Sequence, residues 1–185
     1  MDIGDGLTVA GKKEDHVRAL KDTLVGAGGV ATGLMVVLLT FGEYISLTSV
    51  SFLFFGVTAE ILARNSQVAA AAFGTPGNGM AGDSVRFTDK RSLVISSILT
   101  IALLALVYFI ARIITTEVLN GIIEDAYLIG MIIGFVISIL WGFVMSRIAE
   151  KNFGMVNGDV LGATNETSRV IVLFCMTVTL MLMRL

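Results

Sequence analysis

The chain has 185 residues, 55% of them hydrophobic and 15% charged, with a formal net charge of −2 and a mean hydropathy of +0.87. A soluble domain carries charge on roughly a quarter of its residues, so this composition belongs in a bilayer. The lack of a lysine or arginine stripe interleaved with aromatics excludes nucleic-acid binding, and the lone Cys175 excludes an intrachain disulfide or a cysteine-based zinc site.

Charge is concentrated at the start, in Asp2, Asp5, Lys12, Lys13, Glu14, Asp15, His16, Arg18, Lys21 and Asp22. This acidic opening lacks the basic and short apolar regions of a secretory signal. Val25 to Phe41 reads as a first spanning helix, with Gly26, Gly28, Gly29 and Gly33 allowing close approach to its opening half. Tyr44 to Ala63 reads as a second, continuing to Phe73 and interrupted by Glu60 and Arg64. Gly74 to Gly82, with Pro76 and repeated glycine, reads as a loop. Ser92 to Ile114 has about the twenty apolar residues needed to cross a hydrocarbon core. Thr115 to Asp125 is a short acidic link, and Tyr127 to Met145 is the next span. After a polar return from Ser146 to Arg169, Val170 to Met183 is short for a span and crosses only if the bilayer thins or the flanking arginines snorkel. The expected fold is therefore all-α: one polytopic membrane domain over residues 1–185 with about five transmembrane helices.

With a cytoplasmic amino terminus, eleven of the thirteen basic residues fall on the cytoplasmic side, leaving Arg112 and Arg184 opposite. That orientation brings the acidic start, the Gly74 to Gly82 loop and the polar segment Asn157 to Glu166 to one face. A composite cytoplasmic-side site can be built from them.

Asp2 and Asp5 stand three apart and share a side of any helical turn; clustered carboxylates suit a hard divalent cation. The alternative is that aspartate and glycine here serve a helix cap or turn. Asp22, just before an apolar helix, is a further candidate, or else favours the helix dipole. Glu60 and Arg64 are spaced i, i+4 for a pair, either a structural ion pair or substrate contacts at membrane depth. Asn78 and Gly79 lie in a glycine-rich loop whose backbone N–H groups could cradle phosphate, although it is no P-loop. Asp159, Gly162, Ala163 and Glu166 share one helical face with Asn165 alongside, leaving room for an ion or a sugar hydroxyl; the alternative makes Asp159 the cap of the last helix. His16, the single histidine, reads as a solvated loop residue, and Trp141 as lipid-facing or packing.

These features resemble the cobalamin-5'-phosphate synthases (adenosylcobinamide-GDP ribazoletransferases). That family's Asp-Gly-Leu-x-Asp-x-x-Asp-Gly stretch, followed by a basic segment ending in Lys-Asp and a glycine-rich helix, is similar to Asp2-Ile3-Gly4-Asp5-Gly6, then Arg18, Lys21-Asp22, then Gly26, Gly28 and Gly29. Its late Gly-Asp-x-x-Gly-Ala motif with a following glutamate matches Gly158 to Glu166, and Arg64 and the Gly79 to Gly82 loop also match in place. Measured against that pattern the chain starts inside the acidic motif, without its first aspartate, and reads as lacking an N-terminal part of the family.

The resemblance implies a prokaryotic, archaeal or bacterial, multi-pass cell-membrane enzyme that uses Mg2+. It would transfer the adenosylcobinamide phosphate group from adenosylcobinamide-GDP to α-ribazole or its 5'-phosphate and release GMP. Asp2, Asp5, Asp22 and Asp159 would be metal ligands, and Asp5 and Asp22 would carry the catalytic roles. Lys21, Glu60, Arg64, Asn78, Gly79, Asn165 and Glu166 would contact substrate. The bilayer is the implied partner, and the oligomeric state is open. The rivals are a CDP-alcohol phosphatidyltransferase, whose downstream aspartate pair is missing here, and a transporter or inert scaffold, whose paired broken helices are absent from the pattern.

Overall fold

The structure is a computed structural model that describes residues 1–47, 49–78, 80–115 and 121–183. The described residues form helices α1 (Asp2–Thr8), α2 (Lys13–Leu20), α3 (Ala27–Ser46), α4 (Ser49–Phe73), α5 (Met80–Phe87), α6 (Lys90–Thr115), α7 (Gly121–Asn152) and α8 (Gly158–Met183). α4, α7 and α8 pack on one another; α6 leans on α4, and α3 on α8. α1 lies across α3 and touches α2 and α8.

Among the described residues, four helices are long and apolar enough to cross a membrane: Ala27–Ser46, Lys90–Ile114, Asp125–Asn152 and Gly158–Met183. The exposed faces of α3 (Leu34, Met35, Leu38, Phe41, Ile45) and α6 (Ile95, Ile98, Leu99, Phe109, Ile113) are continuous apolar surfaces that water would not tolerate and lipid does. The expected fifth span falls on α4, which runs between the same two ends of the bundle. α4 has 25 residues, but Glu60, Arg64, Asn65 and Gln67 interrupt its apolar run, as a helix surrounded by α6, α7 and α8 allows.

The boundaries move for local reasons. Tyr44, expected in the second span, belongs to α3, which ends at Ser46. α7 runs on to Asn152 rather than stopping at Met145. The last span is not short: the polar motif from Gly158 and the apolar run ending at Met183 form one helix of 26 residues. The supposed loop ends early, because α5 starts at Met80.

Small residues and polar ties set the packing. A Cβ on Gly142 would lie 2.3 Å from the Ser66 carbonyl oxygen and 2.6 Å from Ala69 Cβ, so α4 and α7 meet backbone to backbone there. Buried Asn65 joins three helices: its Nδ2 donates to Ser138 Oγ (3.2 Å), and its Oδ1 accepts from Ser96 Oγ (3.1 Å). One apolar core, including Phe55, Leu62, Tyr127, Leu173 and Met176, fills the bundle; a second, with Ile3, Leu20, Val85, Phe153 and Val156, gathers the short helices onto its end. At that end two turns are laced together. Val156 N–H donates to the Thr75 carbonyl (2.7 Å) and Gly77 N–H to the Val156 carbonyl (3.0 Å), forming an isolated parallel bridge between Pro76 and Val156.

Candidate active site

A cavity of about 610 Å³ opens between α1, α3, α7 and α8. Asp2 enters it from α1 and Asp159 and Glu166 from α8, so carboxylates more than 150 residues apart in sequence share one space. Gly33, Gly162 and Ala163 contribute small surfaces, and Val36, Met145, Ile148 and Trp141 apolar ones. A Cβ on Gly162 would meet no atom within 4 Å. That glycine therefore keeps the cavity open without being required by packing.

Glycines also bring α1 to the site. A Cβ on Gly4 would come within 2.5 Å of Thr32 Oγ1, and one on Gly28 within 2.1 Å of Thr8 Oγ1. Bare backbone on both helices lets α1 lie against α3 and deliver Asp2. His16 supports this contact rather than floating in solvent: it sits on α2, half-buried, and its Nδ1 donates to the Gly6 carbonyl (2.6 Å).

The two aspartates of the opening motif part company. Asp5 accepts from Gly26 N–H at Oδ2 and from Gly29 N–H at Oδ1, both at 2.8 Å, which caps α3 from a different helix. It does not line the cavity, whereas Asp2 does. At α8 the cap falls to Asn157, whose Oδ1 accepts from Val160 N–H (3.1 Å) while its Nδ2 donates to Asp159 Oδ2 (2.8 Å). Asp159 is thus held at one oxygen but not consumed as the helix cap.

Glu166 is clamped by Arg169. The guanidinium engages Glu166 through Nη1 and Nη2 and grips Glu60 of α4 through Nε and Nη2. Glu60 therefore pairs across helices rather than with Arg64, whose Nη1 donates to Gln67 Oε1 (3.3 Å). This corrects the i, i+4 pairing: the five-donor fork of arginine can hold two carboxylates at once.

The remaining candidates scatter. Glu60, Arg64 and Asn65 line a separate groove of about 660 Å³ between α4 and α6. Asn165 is buried inside α8, with its Nδ2 donating to Glu166 Oε1 (3.3 Å). Lys21 and Asp22 are exposed in the α2–α3 turn, where Asp22 Oδ1 accepts from Leu24 N–H (3.0 Å). Asn78 is exposed beside the laced turns, and Gly79 lies outside the described residues. Two further residues belong to this region without a functional signature in the sequence. Trp141 lines the cavity, with its Nε1–H donating to Thr167 Oγ1 (2.8 Å), and Arg169 reads in sequence only as a flanking cation. The one available signal for Arg169 was its i, i+3 spacing from Glu166.

Among the described residues, no three His, Cys, Asp or Glu side chains cluster closely enough to enclose a metal ion. The donors that face the cavity, Asp2 and Asp159, suit a different arrangement. A Mg2+ ion beside phosphates takes one or two carboxylates and completes its shell with water and phosphate oxygen.

The family model for cobalamin-5-phosphate synthase matches residues 1–177. An adenosylcobinamide-GDP ribazoletransferase of Methanococcoides burtonii is 31% identical over 96% of this chain and 62% of its own length. The enzyme of that name from Methanosarcina mazei is 28% identical over 98% of this chain and 65% of its own. One from Chlorobium phaeobacteroides is 29% identical over 92% and 64%. The chain thus spans less than two thirds of the length of these curated relatives. No solved structure matches it.

Proposed function

The chain belongs to the cobalamin-5-phosphate synthase family, and from that premise we propose that it transfers the adenosylcobinamide phosphate group from adenosylcobinamide-GDP to α-ribazole or its 5'-phosphate, with Mg2+. The observation that carries this reading is the convergence of Asp2, Asp159 and Glu166 on one cavity lined by small and apolar residues. In the reaction, the acceptor hydroxyl attacks the phosphorus on the cobinamide side. A new P–O bond forms, the bond from that phosphorus to the bridging oxygen of GMP breaks, and GMP leaves with the bridging oxygen.

A displacement of this kind needs positioning and charge neutralisation more than covalent help. Asp2 and Asp159 would hold Mg2+, which when bound supplies charge neutralisation on the phosphate oxygens. Glu166, fixed by Arg169, orients an acceptor hydroxyl. The hydroxyl proton passes to a carboxylate of the cavity or to water. Asp5 acts one step back, by holding α1 on the start of α3 so that Asp2 stays in place. Lys21, Asp22 and Asn78 lie away from this cavity, and in this reading any contact they make is with the outer parts of a large substrate. The protein sits in the cell membrane with α1, α2, α5 and the cavity mouth on the cytoplasmic side, the side that the basic residues favour.

The test is GMP release from adenosylcobinamide-GDP by the purified chain in lipid nanodiscs. Release should require Mg2+ and α-ribazole or its phosphate, and should fall on the order of a hundredfold in Asp159→Asn. Release of CMP from a CDP-alcohol in place of GMP, or unaltered GMP release by Asp159→Asn, would reject it.

A further inference from the structure

We infer that Trp141 is the platform on which the cavity holds a planar nitrogen heterocycle, so that this residue selects the base-bearing substrate. The inference rests on the transferase reading above, whose two reactants each carry an aromatic base, benzimidazole on the ribazole and guanine on the nucleotide. Trp141 stands on α7 and is the one aromatic side chain among the residues that line the cavity, beside carboxylates, small residues and aliphatic ones such as Leu7, Val36 and Ile148.

Three observations point the same way. First, the indole lines the same cavity as Asp2, Asp159 and Glu166, so a base resting on it would have its sugar and phosphate within the reach of the carboxylates. Second, the ring is pinned. Its Nε1–H donates to Thr167 Oγ1, and the Thr167 hydroxyl donates onward to the Ala163 carbonyl (2.6 Å). With its one polar hydrogen committed, the indole offers a ligand only its π-surface, and a pre-oriented ring loses little entropy on stacking. Third, part of the wall carries little side chain: Gly33, Gly162 and Ala163 line the cavity, and the space at Gly162 is empty to 4 Å. A slot with an aromatic wall and glycine surfaces admits a flat ring better than a branched or puckered one.

Trp141 lines the cavity and is partly exposed there, although lipid-facing surface is abundant in this molecule. Base stacking on aromatic side chains is sequence-tolerant because every base has a π-face; which of the two bases uses the platform is therefore a question for experiment.

Trp141 is the single tryptophan of the chain, so its emission reports this site alone. The chain in nanodiscs is titrated with α-ribazole, with GMP, and with ribose 5-phosphate as a base-free control, and GMP release is measured on the same preparation. Saturable quenching by α-ribazole or by GMP, but not by ribose 5-phosphate, is expected and identifies which base is held. Trp141→Leu should weaken binding of that ligand, measured by equilibrium dialysis, on the order of tenfold or more, and raise the KM of the substrate that carries the same base with a smaller change in kcat. Trp141→Phe should restore most of the affinity. Quenching without any GMP release would keep the platform and reject the transferase reading. GMP release with no quenching by either ligand would overturn the platform and leave the transferase reading standing. Equal quenching by ribose 5-phosphate, or unchanged affinity in a folded Trp141→Leu, would also overturn it, and silence in both assays would remove both.

Discussion

Two hollows among the described residues are of nearly the same size, about 610 Å³ beside α8 and about 660 Å³ between α4 and α6, and they differ in what their polar groups are free to do. In the α4–α6 groove the polar groups answer one another. Asn65 bridges Ser96 and Ser138, Arg64 holds Gln67, and Glu60 is gripped by Arg169. In the cavity beside α8, Asp2 and Asp159 meet across an open space, and only Glu166 is tied to a cation. Inside a membrane bundle, polar residues that bond one another are interhelical glue, whereas the carboxylates of the cavity face open space. Volume does not tell the two apart; the hydrogen-bond ledger does.

The largest expected effect separates the hollows directly. Gly162→Phe fills the cavity from a position with no neighbouring atoms, and should lower GMP release on the order of a hundredfold while leaving thermal unfolding unchanged. Leu99→Phe, the matching change in the groove, should leave turnover near wild type. Equal losses from both would erase the distinction drawn here.

The partition between the hollows is the crossing of α4 and α7 at Gly142. Gly142→Ala has no room for its methyl group and should destabilise the bundle by about 1–3 kcal/mol, read as a lowered unfolding midpoint in detergent. A neutral result would mean that the helices can separate there without cost.

Arg169 joins the two regions, through Glu60 of the groove and Glu166 of the cavity. Arg169→Met should cost about 1–2 kcal/mol of stability, less than a fully buried pair would, because the carboxylates of Glu60 and Glu166 are about half exposed (47% and 49%). Double-mutant cycles with Glu60→Gln and Glu166→Gln should each show coupling, and additivity in both would dissolve the link.

The smallest effect lies at the mouth of the groove. Asp89 caps α6, accepting from the Ser92 N–H (2.8 Å) and hydroxyl (2.9 Å), and these bonds hold its carboxyl below the usual aspartate range. A carboxylate whose folded value is depressed adds stability above its unfolded pKa and loses it as pH falls through the folded one. Asp89→Ala should therefore lower the unfolding midpoint slightly at neutral pH, with the difference vanishing in acid below the folded value, and leave turnover untouched. A difference that persisted unchanged in acid would contradict the cap.

The parts of this architecture that were legible in the sequence share one cause. α3, α6, α7 and α8 face lipid, and lipid imposes long apolar runs that any window detects. The expected convergence of Asp2 with Asp159 and Glu166 also appears in the structure, because charge is so scarce that its clusters mark where polar space can exist. What escaped was tertiary. Glu60 prefers Arg169 on another helix to Arg64 on its own; Asp5 caps a helix that it does not belong to. Local spacing shows a partner only when that partner is local. Trp141 escaped for a different reason, since one aromatic in an apolar run has no period, and its position against lipid or cavity depends on the rotation of α7 within the bundle. The polar start of α8 reads in sequence as a return between spans because hydropathy falls there, although Asn157 supplies an ordinary cap.

The lacing of Val156 to Thr75 and Gly77 has a consequence for how the molecule breathes. Amides in connecting turns ordinarily exchange their hydrogens with water quickly, as the least protected in a protein. Here the N–H groups of Val156 and Gly77 are each spent on a carbonyl of the opposite turn, and Val156 itself is fully buried. The two turns should thus exchange at the slow pace of the helices they join, marking the water-facing end of α4, α7 and α8 as part of the last unit to open.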